Sequence, residues 1–331
     1  MKVHIYEVHA FTQDGQGGNA AGVVIQSEDA MLTEQQMLKV AARMGFSETA
    51  FVSESDMADF KVRFFTPSDE VALCGHATIA VFSLLQKLGR LNGRRDFVQE
   101  TKAGLLRIKA DAEEILMAQV APDFGPILEP EEIFWSLGLS EDFQAAGLPV
   151  QIVSTGLRDI LVPVSSLKAL KEMQPDFEDI RQISEAHGVT GYHCFTLETG
   201  TSTGNPGQPS VTAWCRNFAP LFGIDEESAT GTSNGALAAY LSAYGAVRGN
   251  DMRFVQGMWM NKPSLIKART VWSSTARQAG GDKLEESGLV PNVPLDPEGA
   301  HENDIDTLGS KLQTVWVGGS ASIKGETELE I

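Results

Sequence analysis

The sequence predicts an α+β protein built from two related halves, each a sheet curled around one apolar helix. Three observations carry that expectation. Short strand-like runs dominate the chain, with few helices between them. Two segments, from His76 to Leu88 and from Ala236 to Ala246, are apolar on nearly every face, the pattern of a helix buried all round. One phrase also occurs twice. Arg63-Phe64-Phe65-Thr66-Pro67 leads to Cys74-Gly75-His76-Ala77, and Arg216-Asn217-Phe218-Ala219-Pro220 leads to Thr230-Gly231-Thr232-Ser233. A repeated strand–turn–helix implies two related units.

The elements follow in order. Val3–Val8 and Ala20–Ile25 read as strands around the Gly15–Gly18 turn. Thr33–Arg43 reads as a helix, with Thr33 as N-cap and Gln36 completing a capping box. Glu48–Ser53 and Phe60–Phe65 are strand-like, and Gly89 ends the first buried helix. Strands are expected near Phe97–Thr101, Leu105–Ala110 and Ile115–Val120. The proline-rich stretch Pro122–Pro130 reads as a linker. The second half repeats the plan. Gln151–Ser154, Asp159–Val164, Tyr192–Leu197 and Val211–Asn217 read as strands, Phe177–His187 as a helix, and Phe254–Gln256, Ser264–Val271 and Gln313–Val317 as closing strands. The expected division is 1–121, completed by a C-terminal strand near 313–331, and 131–312, with a surface insertion near 273–311.

A formal charge of −18 argues against nucleic acid or anionic membrane as partners. No apolar run approaches the length needed to span a bilayer. The start of the chain reads as a strand rather than a signal peptide. Three cysteines without zinc-type spacing point to a reducing, cytoplasmic compartment. No metal-ligand cluster, phosphate-binding loop or dinucleotide fingerprint is visible, and Gly15-x-Gly17-Gly18 is too short for the last.

Polar chemistry concentrates at the two Gly-polar turns. Amide groups at a helix start lack intrahelical partners and carry partial positive charge, and glycine lets a ligand approach them. Gly75-His76 and Gly231-Thr232 therefore suit an anion such as a carboxylate. His76 titrates in the range useful for proton transfer. Cys74 is a candidate base at a helix N-terminus. Its counterpart, Thr230, cannot act as a base unaided, which favours proton movement on one face of the substrate. Glu48, at the start of an apolar strand, is a candidate acid–base carboxylate with partial burial and a raised pKa. Glu227 precedes the second turn and is placed to enter the site or cap the helix, whereas Asp69 and Glu70 read as solvated.

Val8-His9-Ala10-Phe11-Thr12, Gly18-Asn19-Ala20-Ala21-Gly22, Phe46-Ser47-Glu48-Thr49-Ala50-Phe51, Arg63 to Pro67, Cys74-Gly75-His76-Ala77-Thr78, Val153-Ser154-Thr155-Gly156, Phe218 through Gly231, Gln256-Gly257 and Val317-Gly318-Gly319, in this order, resemble the phenazine-biosynthesis PhzF-like proteins. The resemblance implies a diaminopimelate-epimerase-like fold. That fold has two pseudo-symmetric domains, each with a curled, mostly antiparallel sheet around a central helix, and a site in the cleft between them. It also implies a homodimer and isomerase chemistry without a cofactor or metal, on a small carboxylic acid such as a dihydro-hydroxyanthranilate. In that pattern a glutamate moves the proton, and the role falls on Glu48. The family histidine falls on His76, and the family aspartate of an Asp-Pro-x-Thr-Gly-Ser run falls on Glu227. The chain departs from that run with Glu227 for Asp, Ser228 for Pro and Thr232 for Ser. Asn19, Cys74, Gly75, Thr230, Gly231 and Thr232 fall at substrate-binding positions. Two other readings remain open on the sequence: an amino-acid epimerase or racemase using Cys74, and a small-acid-binding protein without catalysis.

Overall fold

The computed structural model describes residues 2–198, 210–272 and 312–331, so the expected insertion at 273–311 lies outside the described residues. The chain divides into two compact units. Unit one comprises Met1–Ala118, Asn261–Leu265 and Gly318–Ile331, and unit two comprises Gln119–Met260 and Ile266–Val317.

Unit one begins with β1 (Lys2–Ala10), β2 (Asn19–Ile25), α1 (Glu34–Met44), β3 (Glu48–Ser53), β4 (Phe60–Phe65) and β5 (Glu70–Val71). It continues through α2 (Gly75–Lys87), β6 (Asp96–Thr101), β7 (Gly104–Ala110) and β8 (Ile115–Ala118). The C-terminal strand Ala321–Glu330 pairs antiparallel with β1, and β1 with β2. β2 and β3 are parallel, β3 and β4 antiparallel, and β4 carries antiparallel β5 at one end and parallel β6 at the other. β7 and β8 extend the sheet antiparallel.

Unit two holds β9 (Asp123–Ile127), α3 (Pro130–Ser136), β10 (Gln151–Ser154), β11 (Arg158–Pro163), α4 (Leu167–Glu172), α5 (Phe177–His187), β12 (Gly191–Thr196) and β13 (Ala213–Ala219). β14 (Ile224–Glu227), α6 (Gly231–Ala243), β15 (Asp251–Gln256), β16 (Ser264–Trp272) and β17 (Leu312–Gly319) follow in sequence. Its pairings repeat those of unit one. β9, β10 and β11 are antiparallel neighbours, β11 and β12 are parallel, and β12 and β13 are antiparallel. β13 carries antiparallel β14 and parallel β15.

The repeated phrase has the same physical use in both units. Arg63 donates from Nε and Nη2 to the two Glu70 oxygens at 2.7 and 2.9 Å, across the β4–β5 pair. Arg216 does the same to Glu226 at 2.9 and 2.8 Å, across β13–β14. Each guanidinium also lies over the phenylalanine two residues on, Phe65 and Phe218. Glu70, expected to be solvated, is thus a clamped and mostly buried partner. The forks align the units residue by residue, because Cys74 and Thr230 each lie four residues beyond the paired glutamate.

The core of each unit has two sides. In unit one Val3, Ile5, Val24, Phe51 and Phe65 pack under α1 with Met37 and Val40. The alternate residues of these strands face the other way, where α2 lies against β1, β2, β3, β8 and the C-terminal strand. In unit two Ile152, Ile160, Val162, Cys194 and Phe218 pack with Phe134, Leu170 and Ile180 from α3, α4 and α5, and α6 takes the opposite face. α2 buries residues on all sides, and from Ser233 to Ala243 α6 does so at every position. The Thr33–Gln36 capping box forms as expected, and Gly45 closes α1 in the left-handed conformation. The fold is α+β and of the diaminopimelate-epimerase-like kind.

The expected linker at 122–130 is a correction. It contains β9, paired with β10, and Pro130 opens α3 at the position where its missing N–H costs nothing. α4 also lay outside the expected elements.

Candidate active site

In unit one β3 and α2 bring the expected groups together. Glu48 begins β3, beside Ala21 of β2. His76 is the second residue of α2, and its ring is buried. Glu48 Oε2 is buried with no partner in hydrogen-bond geometry, and it lies 3.4 Å from His76 Nε2. Ser47 Oγ, which the sequence reading overlooked, is also 3.4 Å from that nitrogen. Cys74 Sγ lies 3.4 Å from His76 Nδ1. Burial lowers the His76 pKa, opposed by the Glu48 charge and by a hydrogen bond to the Ala20 carbonyl. The ring is therefore neutral at pH 7 and carries a single N–H. A proton taken up by Glu48 is therefore held beside a neutral imidazole.

Cys74, Gly75 and His76 form the α2 start. Cys74 is the N-cap but makes no side-chain cap, so the first amides of the helix are not closed off by it. A Cβ at Gly75 would meet only the Met117 methyl at 3.5 Å, an ordinary contact. Packing therefore does not require glycine there, whereas close approach of a ligand to the amide does. Asn19 stands at the first position of β2, opposite Ala10.

The sequence reading found no metal cluster. The structure gathers a carboxylate, a thiol and an imidazole, from Glu48, Cys74 and His76, with donor atoms within 4.8 Å of one another. That donor set suits a borderline divalent cation with three protein ligands.

In unit two α6 begins with Gly231-Thr232-Ser233, after the N-cap Thr230. Glu227 ends β14, and its Oε2 accepts from Thr230 Oγ1 at 3.3 Å. Thr232 offers its carbonyl to Thr155 Oγ1 at 3.1 Å. Gln256, from β15, accepts from the Thr230 amide and donates to the Glu227 carbonyl at 2.8 Å, tying the turn to the sheet. In the aligned units Thr230 replaces Cys74, Thr232 replaces His76 and Gly191 replaces Glu48, since Phe51 and Cys194 face the two equivalent arginines. Gly191 leaves no room for an acid. A Cβ there would lie 1.9 Å from the Phe218 carbonyl oxygen. At the aligned positions unit two thus lacks the carboxylate, the imidazole and the thiol of unit one, and its turn carries the Thr230 hydroxyl and the Glu227 carboxylate instead.

The phenazine biosynthesis-like family model (PhzC-PhzF) matches residues 8–281. The chain belongs to this family. An uncharacterized isomerase, YfhB, of Bacillus subtilis is 32% identical over 80% of this chain and 90% of its own length. The trans-2,3-dihydro-3-hydroxyanthranilate isomerase of Pseudomonas chlororaphis is 27% identical over 80% of this chain and 90% of its own. Among solved structures, the phenazine biosynthesis protein of the PhzF family from Bacillus anthracis superposes with a TM-score of 0.79 at 27% identity, covering all of both chains. The protein is therefore an isomerase of the PhzF-like family. Among the described residues no helix is long and apolar enough to cross a membrane.

Proposed function

We propose that the protein isomerises a small carboxylic acid by moving one proton between carbons on one face of the molecule, without a cofactor. The carrying observation is the Glu48 carboxylate, with Oε2 buried, unpartnered and 3.4 Å from a neutral His76. Glu48 takes the proton from one carbon. The electron pair it leaves shifts the double bond, and the same carboxyl returns the proton to a second carbon. His76 orients Glu48 and shares its proton. The amides of Gly75 and His76 at the α2 start hold anionic oxygens of the acid, and the Gly231 and Thr232 amides at the α6 start are anion-binding groups of the same kind. Asn19 and Cys74 extend the binding surface of unit one, and Thr230 and Glu227 that of unit two. A dihydro-hydroxyanthranilate is the leading candidate, from the activity that names the Pseudomonas chlororaphis relative.

The alternative of an epimerase built on Cys74 needs a second base on the opposite face. Cys74 has no thiol counterpart, because the aligned position in unit two is Thr230. Incubation of trans-2,3-dihydro-3-hydroxyanthranilate and related cyclic acids in deuterated water, followed by NMR, tests the assignment. Wild type is expected to exchange carbon-bound hydrogen, Glu48→Gln to lose roughly two to four orders of magnitude in rate, and Cys74→Ala to keep most of it. Undiminished exchange in Glu48→Gln contradicts the role of Glu48. Loss of exchange after dialysis against a chelator, restored by zinc, favours the metal reading of the same trio.

A further inference from the structure

Behind the α6 turn lies a group of buried polar side chains that the proposed reaction does not use. Asp159 of β11, His193 of β12, Asn217 of β13 and Ser233 of α6 are all 3% exposed or less. The registers align them with Ala21, Ala50, Phe64 and Ala77 of unit one. Those four are fully buried and carry no side-chain polar atom. The same fold, at the same four places, is therefore stable with an apolar filling. Polar groups in such a position cost desolvation unless they are bonded, so their bonding pattern is the place to look for their use.

The hydrogen bonds show what they reach. Ser233 Oγ donates to Asp159 Oδ2 at 2.5 Å. Asn217 Nδ2 donates to Ser233 Oγ at 3.3 Å, with the Tyr192 carbonyl and His193 Nδ1 also at 3.3 Å. That direction of donation turns the Asn217 oxygen toward Thr230, whose Oγ1 lies 3.2 Å away. Thr230 has one hydroxyl proton. It receives a hydrogen bond from Gln256 Nε2 at 3.0 Å and has two acceptors to choose from, Asn217 Oδ1 and Glu227 Oε2.

We propose that Asp159 is a positioning residue for Glu227: acting through Ser233 and Asn217, it sets how far the Thr230 hydroxyl proton is withheld from the Glu227 carboxylate. Asp159 anchors Ser233, Ser233 fixes the amide of Asn217, and the Asn217 oxygen competes with Glu227 for Thr230. The catalytic meaning rests on the reading of Glu227 as a substrate-facing group, but the coupling itself does not. Burial pushes the Asp159 carboxyl up to about 7, against the hydrogen bond from Ser233, so the anchor is held near its ionisation point at neutral pH. The titratable neighbour in the cluster is His193, which burial lowers to about 3 and which is therefore neutral. Beside Glu227, the Glu226 charge is taken up by Arg216.

The test reads Glu227 directly and needs no substrate. Protein labelled with 13C at glutamate side-chain carboxyls is titrated by NMR, with the Glu227 signal assigned from Glu227→Gln. Ser233→Ala is the first variant, because unit one carries Ala77 at the aligned place of α2. Asp159→Asn is the second. Each is expected to loosen Asn217, whose Nδ2 keeps only the Tyr192 carbonyl and His193 Nδ1 as firm neighbours, so that Thr230 donates more to Glu227 and lowers its titration midpoint by about half a unit. In Thr230→Val, which removes the hydroxyl, the same two substitutions are expected to have no further effect. A midpoint that stays put or rises in Ser233→Ala and Asp159→Asn, or that moves equally in the Thr230→Val background, overturns the proposal. In the exchange assay, Asp159→Asn is expected to lower kcat by up to about threefold in wild type, the factor that half a unit represents, and to leave Glu227→Gln unchanged. Additive losses in that pair overturn the catalytic link, while failure of every acid to exchange bears on the proposed function and leaves the NMR result to decide the coupling.

Discussion

Glu48 and Gly191 occupy the same place in two copies of one plan, and no exchange between them is possible in unit two, where the Phe218 carbonyl fills the space of a side chain. The asymmetry of the chemistry is thus set at single positions. Asp159 illustrates the energetic side. Its pKa is raised from 3.8 to about 7 in the folded state by burial. A raised value means that the folded form binds the proton more tightly, so its contribution to stability is complete below about pH 3.8 and is lost as pH rises through about 7. Asp159→Asn is therefore expected to gain stability over wild type across that window, by on the order of a few kcal/mol at pH 8, with little difference at pH 4. Urea unfolding at several pH values checks this, and a gap that stays constant with pH contradicts it. His193 has the opposite sign. Its lowered pKa makes stability fall as pH drops below the ordinary histidine value of 6.5 toward about 3.

At the scale of elements, the two Arg–Glu forks are the stitches that hold each strand–turn–helix in register. They differ in depth. The Arg216 side chain is 10% exposed and also donates to the Leu170 and Met173 carbonyls, whereas that of Arg63 is 27% exposed. Arg216→Ala removes the donor of a half-buried carboxylate and the contacts of a nearly buried guanidinium with two carbonyls, and is expected to cost roughly 2–4 kcal/mol. Arg63→Ala is expected to cost less, about 1–3 kcal/mol. Equal losses in chemical denaturation contradict that ranking. Thr33→Ala is expected to cost about 1 kcal/mol by opening the α1 capping box. Elements with a clean period or end signal were legible in the sequence. β3, β4, β10 and α5 have the bounds that their alternation or caps indicate. β9 was not, because Pro126 and Gly125 disguise a strand whose only pairing described is with β10. A C-terminal strand was expected near 313–331, and Ala321–Glu330 is one, although it carries charged and exposed residues along most of its length.

For the molecule as a whole, the duplication was readable because its signal is local: two short phrases that fold alike. The pairing of Glu48 with His76 was also within reach, since each stands at the start of an element and the phrases that hold them are distinctive. The Asp159–Ser233–Asn217–Thr230 chain was not, because its members come from three elements and meet only once the strand registers are known. A lone Asp159 before Ile160-Leu161-Val162, and His193 inside an apolar strand, were the signals available, and neither names a partner. With a formal charge of −18, the proposed binding of an acid rests on local amide dipoles rather than on overall charge. The central claim is that one carboxylate moves one proton on one face. Its most direct measurement is the position and configuration of deuterium in product formed from trans-2,3-dihydro-3-hydroxyanthranilate, or the acid found to exchange, in deuterated water. The expected result is deuterium at a carbon other than the one deprotonated, on the same face, with part of the original protium carried across. Deuterium at the starting carbon with inverted configuration would contradict it.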